Sequence, residues 1–265
     1  MITNTGRSQH LKLISGQAIR FADKFVVGSS NAVLGPEANE LDFGWGECLV
    51  KDSFVDEDRK QVVFYGTLPS EYAGQISEIG LATMNSDFIQ TGRNINLSYY
   101  FSELESWKYS VDEKMDYATE TSLMGTDDIV ITGAEAGEKL SKYLSDDITL
   151  HTNIKMRVSA AQASQMEFRI YSGETDYVSK TFSLTSGENI VKFSIASMTI
   201  TGNFDPAKAV MMEYTITTPG NYTFDAIVFT GENNSGLVTR SPVAVPKKKV
   251  MGNTMELEYA VMLGV

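Results

Sequence analysis

Apolar and polar positions alternate along most of this chain. In HTNIKMRVSA, Ile154, Met156 and Val158 alternate with Asn153, Lys155 and Arg157; in MEFRIYSG, Met166, Phe168 and Ile170 alternate with Glu167, Arg169 and Tyr171. A period of two with one wet face predicts half-buried antiparallel strands. Similar runs recur as DDIVITG, YVSKTFSLTSG, NIVKFSIASMTITG, AVMMEYTITTPG and YTFDAIVFTG, each stopped by Gly, Ser, Thr or Pro. Short strands at this spacing predict an antiparallel jelly-roll sandwich over residues 103–231.

The flanks have a different texture. Near the start, Thr5 is placed to cap one short helix, with Leu11 and Ile14 on one face and Gly16 as its stop. IRFADKFVVGSSN, FGWGECLVKDSFV, RKQVVFYGTLP and YAGQISEIGLA then read as strands ending in turns. Late in the chain, GENNSGLVTRSPVAVPKKK reads as turn-rich, with Lys247, Lys248 and Lys249 in a solvated loop or an inter-subunit salt contact. NTMELEYAVML sets Met255, Leu257, Tyr259 and Val261 against Glu256, Glu258, Ala260 and Met262. A closing strand that returns to the first sheet makes the whole mainly β. On this reading, residues 1–102 with 232–265 form a discontinuous β-sandwich, and 103–231 are an insertion, which exposed loops tolerate.

Composition narrows the function classes. The 265 residues are 42% hydrophobic and carry a net charge of −12, enough for real cores and unsuited to coating nucleic acid. The N-terminus lacks the apolar core of a signal peptide, and no run approaches the roughly 18 apolar residues of a membrane span. The expectation is synthesis in a host cytoplasm, with no nucleic-acid or membrane partner. Cys48 is the single cysteine, so no internal disulfide framework or cysteine metal cluster is available; it reads as a buried small thiol.

Candidate chemistry is sparse. His10 and His151 are the only histidines, one in the expected helix and one on an alternating strand, and neither has a nucleophile beside it in sequence. Asp112, Glu113, Asp116, Asp127, Asp128, Asp146 and Asp147 offer carboxylates for a glycosidase pair or for Ca2+, although the calcium-loop spacing with its glycine is absent. No cofactor is indicated. Trp107, Tyr109, Tyr171 and Tyr177 are candidate sugar-stacking residues; the competing reading puts Trp107 in the core. Met211 and Met212 read as core fillers.

One resemblance rests on the order of several motifs: an N-terminal NTG with a short helix, FVVGSSNA, VVFYGTLPSEYAGQISEIGLA, and LVTRSPVAVPKKKVMGNTMELEYAVML. Together they resemble the N-terminal attachment domains of bacteriophage tail-fibre, collar and related virion proteins, over about residues 1–100 and 232–265. The middle segment is similar in pattern to the carbohydrate-binding-module-like jelly rolls inserted in phage surface proteins. The resemblance implies a non-enzymatic structural component of a tailed phage virion: a neck or collar part, baseplate part, fibre adaptor or capsid decoration. Its partners would be other virion proteins and copies of itself. Ile76, Glu78, Ile79, Gly80 and Leu81 would then serve as an assembly or core motif. The alternatives are an adhesin for host-surface glycans and a polysaccharide-degrading enzyme.

Overall fold

The computed structural model describes residues 1–18, 20–30, 35–36, 41, 43–83, 97–101, 106–118, 127–230 and 236–262. The chain divides into two compact units, one of Met1–Asn94 with Asn233–Val265 and the other of Ile95–Glu232. The sequence boundaries at 102/103 and 231/232 fall outside the described residues.

The first unit holds the helix α1 (Asn4–Ile14) and the strands β1 (Lys24–Gly28), β2 (Gly44–Asp56), β3 (Gln61–Leu68) and β4 (Gly74–Ala82). From the end of the chain it takes β17 (Leu237–Lys249) and β18 (Met255–Met262). These strands pair antiparallel in the order β17-β4-β1-β2-β3-β18. Strand β2 spends its first half on β1 and its second on β3, with a bulge between Val50 and Asp52. That bend carries one sheet into the next around Phe25, Val27, Trp45, Leu68 and Leu81, all buried. The alternation in β18 is realised: Leu257, Tyr259 and Val261 are buried and their neighbours face out.

Three expectations for this unit are corrected. The helix cap is Thr3 rather than Thr5; its side chain accepts from Gly6 N at 3.0 Å. The helix also does not pack through Leu11 and Ile14, which are 69% and 72% exposed. It rests on β17 through Gly6, where any side chain would run into the Val238 carbonyl. Finally, the proline- and lysine-rich segment is strand β17, not a loop. Pro242 and Pro246 are tolerated because β17 is an edge strand whose pairing shifts between Pro242 and Lys247. Lys249, expected in solvent, is 1% exposed, and its ammonium donates to the Tyr72 and Val250 carbonyls at 2.9 Å each.

YAGQISEIGLA becomes β4, between β1 and β17. Ile76 and Leu81 enter the core, while Ile79 is half-buried. At Gly80 a Cβ would lie 2.5 Å from Thr239 O and 2.8 Å from a Leu237 methyl, so only glycine lets β17 approach. Glu78 is fully buried; one carboxylate oxygen accepts from Arg240 Nε at 2.9 Å and the other from Phe43 N at 3.0 Å.

The second unit is a two-layer antiparallel sandwich. Its strands are β5 (Leu97–Tyr100), β6 (Lys108–Tyr109), β7 (Met115–Ala118), β8 (Asp128–Ala134), β9 (Lys139–Asp146) and β10 (Asn153–Ala160). They are followed by β11 (Ser164–Tyr171), β12 (Tyr177–Leu184), β13 (Gly187–Ser194), β14 (Thr199–Thr201), β15 (Ala209–Ile216) and β16 (Gly220–Thr230). One sheet runs β13-β10-β16-β8-β7, with β5 also on β16; the other runs β14-β12-β11-β15-β9-β6. Ile154, Met156 and Val158 from one layer meet Met166, Phe168, Ile170, Met212 and Tyr214 from the other. The Tyr214 hydroxyl satisfies itself on the Met156 sulfur at 2.9 Å, so the core keeps no stranded donor there. Met212 fills this core as expected, but Met211 lies half-buried on the opposite face.

Arg240→Ala would leave the Glu78 carboxylate buried beside a lost ion pair. We expect the first unit to lose about 3–5 kcal/mol, read as an earlier urea transition for its residues by hydrogen exchange, with protection in the second unit unchanged.

Candidate functional site

The site candidates separate by strand face. Trp107 and Tyr109 are core residues, 3% and 4% exposed, and offer no face to a sugar. Trp107 stacks on Phe101 at 4.2 Å between ring centroids. Its position at the start of the sandwich fits the competing core reading.

Tyr109 anchors a polar cluster at the margin of that core. Glu138 accepts from Lys114 Nζ and the Tyr109 hydroxyl at 2.6 Å each, and from Glu135 N at 2.9 Å. The Lys114 ammonium, then Tyr109, hold its carboxyl at about 2, below the ordinary 4.5. Burial and Glu138 push the Tyr109 hydroxyl up, so it remains a donor.

Tyr171 and Tyr177 lie on the other face of their sheet, and strand register builds a row there. Tyr171 pairs with Tyr177 on one side and Met211 on the other; Met211 pairs with Tyr143, and Tyr177 with Thr201. The row Thr201, Tyr177, Tyr171, Met211, Tyr143 therefore crosses five strands. Tyr177 and Tyr143 stand three strand spacings apart, about 14 Å at ~4.8 Å per strand. Tyr143 is 71% exposed with Lys108 Nζ 5.8 Å above its ring; Tyr177 is half-buried and Tyr171 mostly covered.

Two residues along the strands, a polar row runs parallel to the first: Thr199, Ser179, Arg169, Glu213, Ser141, Lys108. Arg169 ties the rows together. Its guanidinium sits 4.9 Å over the Tyr177 ring, pairs with Glu167 at 2.7 Å and donates to the Tyr171 hydroxyl at 3.2 Å. That hydroxyl donates onward to Glu213 at 3.0 Å, and Lys139 reaches the same carboxylate at 3.1 Å. Burial raises the Tyr171 hydroxyl's pKa, which keeps it a neutral donor. The network fixes the rings in place before any ligand arrives. Tyr143 was missed in the sequence because cross-strand register has no sequence signature; its alternation with Leu140 and Lys142 was the only signal.

The other candidates do not converge. His10 is exposed on α1, edge-on to Phe21 at 6.4 Å. His151 precedes β10 rather than lying on a strand, and its buried ring meets Phe229 edge-on at 6.2 Å. Among the described residues, no three His, Cys, Asp or Glu side chains gather to hold a metal ion. Glu167 and Glu213, the two acids of the open face, each pair with a cation. Burial pushes the Cys48 thiol up to about 12. No described helix is long and apolar enough to cross a membrane.

The sequence matches no known family model, and no curated protein resembles it. Among solved structures it is similar to a family 11 carbohydrate-binding module from Clostridium thermocellum, in complex with a β-1,3-1,4-mixed-linked tetrasaccharide. That match has 14% identity and a TM-score of 0.38, covering 62% of this chain and 98% of that one. A family 6 module from Clostridium stercorarium in complex with cellobiose gives 15%, 0.34, 51% and 94%. A family 30 module of a C. thermocellum cellulosomal cellulase gives 12%, 0.37, 52% and 92%. Values this low define neither a relationship nor a ligand; fold and site rest on the geometry above.

The Glu138 cluster has a definite acid signature. Its carboxyl is depressed in the fold, so its contribution is complete above pH 4.5 and is lost as pH falls toward about 2. Tyr109→Phe should therefore destabilise the second unit at pH 7, with the difference from wild type narrowing steadily below pH 4.5 as pH falls through about 2. Chemical denaturation of both proteins across that range measures it.

Proposed function

We propose that the protein binds glycans without cleaving them, through the open face of the sheet β14-β12-β11-β15-β9-β6. The observation that carries this reading is the pair of parallel rows: aromatic rings spaced along one, hydrogen-bonding groups along the other. Tyr177 and Tyr143 present rings to the apolar faces of sugar rings, with Arg169, Ser141 and Ser179 beside them for hydroxyls. The row's length suits a short oligosaccharide lying across the strands. Both face acids hold cations, so neither carboxylate faces the other across a cleft as a glycosidase pair would.

A second reading concerns the first unit. Leu49, Phe54, Val55 and Met262 are each about half exposed or more, at 56%, 48%, 63% and 73%. So many large apolar side chains in contact with water favour assembly with other protein surfaces. On this reading the first unit anchors the protein in a larger particle and the sandwich carries the glycan site. The motif order described above makes a tailed-phage virion the particle to test. Mass spectrometry of purified particles, with the chain traced in their density, is the test; detection in infected-cell lysate but never in particles counts against it.

For the glycan reading, the full-length chain is screened on a glycan array and its best ligand titrated by calorimetry. Tyr177→Ala and Tyr143→Ala should each weaken binding by about tenfold or more, while Tyr117→Ala, off this face, leaves it unchanged. An array with no ligand, or binding indifferent to both face variants, overturns the reading.

A further inference from the structure

The first unit carries two unlike patches on opposite sides of the same three strands, β2, β3 and β18. On the inner side lies a groove of about 520 Å3 between α1 and the sheet, lined by Leu13, Phe21, Val62, Phe64 and Val261 under His10 and Arg20. The register places Val62 between Val55 and Val261, and Phe64 between Ser53 and Tyr259, on this inner side. Next to lining residues in sequence or register, Leu11, Ile14 and Val55 are 69%, 72% and 63% exposed. Of the charged groups lining the groove, Arg20 and Lys51 stand against one acid, Asp52, and α1 beside it is basic. Residues 1–20 include Arg7, His10, Lys12 and Arg20 and no acid, within a chain of net charge −12. Gln9 donates to the Arg20 carbonyl at 2.7 Å and so holds that loop to the helix.

The outer side is aromatic and acidic. Phe54 stacks on Tyr65 at 5.8 Å and 15°, and Phe54 remains 48% exposed. Glu256 and Glu258 of β18 are exposed on this side, beside Met262 at 73%. Thr67 accepts from Lys51 Nζ at 2.5 Å and donates to Glu256 at 2.8 Å, orienting it along the edge, so one cation stands among the acids of this side.

We propose that the groove of one copy receives the Phe54–Tyr65 face of a second copy, with Glu256 and Glu258 set against the basic margin of α1. Each patch supplies what the other lacks: apolar hollow against aromatic knob, positive margin against negative. The contact is heterologous, because the patches differ and lie on opposite sides of one layer. Every contact then leaves one groove and one knob free, so the copies either close into a ring or run on as a filament. A small apolar ligand would leave Leu11, Ile14 and Val55 uncovered, whereas a second copy's sheet face spans the groove and its flanks. The contact is independent of what the second unit binds.

The test uses the full-length chain in sedimentation velocity over a wide concentration range. Two variants change exposed positions alone: Lys12→Glu with Arg20→Glu in the groove margin, and Glu256→Lys with Glu258→Lys on the knob. Wild type is expected to form species beyond the dimer. Each double variant alone should associate at least about tenfold more weakly. Mixed, the intact knob of one meets the intact groove of the other and the reversed charges match each other in turn, so association should recover toward that of wild type. Circular dichroism and glycan titration, unchanged in both variants, separate this result from misfolding and from failure of the glycan reading. A wild type that stays monomeric overturns the proposal. So does self-association that neither variant weakens, a mixture that associates no better than either variant alone, or binding of wild type to anionic vesicles through α1 without self-association.

Discussion

A buried carboxylate at position 78 holds the first unit together. Its arginine partner lies 162 residues further along the chain, on a strand that must come back after the whole second unit has been made. Without Arg240, Glu78 is a charge in a core; without the close approach allowed by Gly80, β17 cannot come near enough to supply it. The cost lies in losing one partner alone, since replacing the whole pair by apolar groups of the same shape is often as stable. The helix follows from the same return, because α1 rests on β17 and its cap residue Thr3 donates to β17 carbonyls. The groove beneath α1 therefore exists only once β17 is in place.

The second unit has a buried pair of its own, Arg157 with Asp225 at 3.4 Å, and the arginine also reaches Glu188 at 2.6 Å. That pair joins neighbouring strands of one sheet and not the two ends of the unit. Its layers meet through alternating side chains, and further polar networks lie at the margin and on the open face. The Glu138 cluster trims one margin; the Arg169 network organises the face. A core this apolar leaves side chains on the outer face free to vary, and there a strained or exposed ring costs the fold little.

The alternation of β11 and β18 was readable in the sequence because one face of each is dry and the other wetter; in β10 the same alternation was read, but Lys155 and Arg157, on the face expected to be wet, are buried. Jelly-roll layering followed from the number of such runs. Strand β17 was not readable: prolines and lysines say loop to any local rule, and only an edge position with a bulge accommodates them. The apolar positions of α1 misled for the opposite reason, since Leu11 and Ile14 keep the spacing of a buried face that this unit leaves uncovered. At the candidate site, Tyr171 and Tyr177 were picked as types, as were Trp107 and Tyr109, which turned out to be core. What separated them was strand parity, and what completed the row was Tyr143, brought in by register across β11, β15 and β9. Register is a property of pairs of strands, and a single sequence carries no direct record of it.

The chain leaves the first unit and re-enters it through neighbours: Ala82 pairs with Leu237, and Thr83 N donates to Gly236 O at 2.9 Å. Any pull on the second unit is thus shared by two strand ends lying side by side. Tension runs along β4 and β17 together and does not peel one from the other. It is met by β1, which is bonded to β4 from Lys24↔Ala82 to Gly28↔Glu78. Those bonds would have to slide past one another at once, the geometry in which a sheet resists force best.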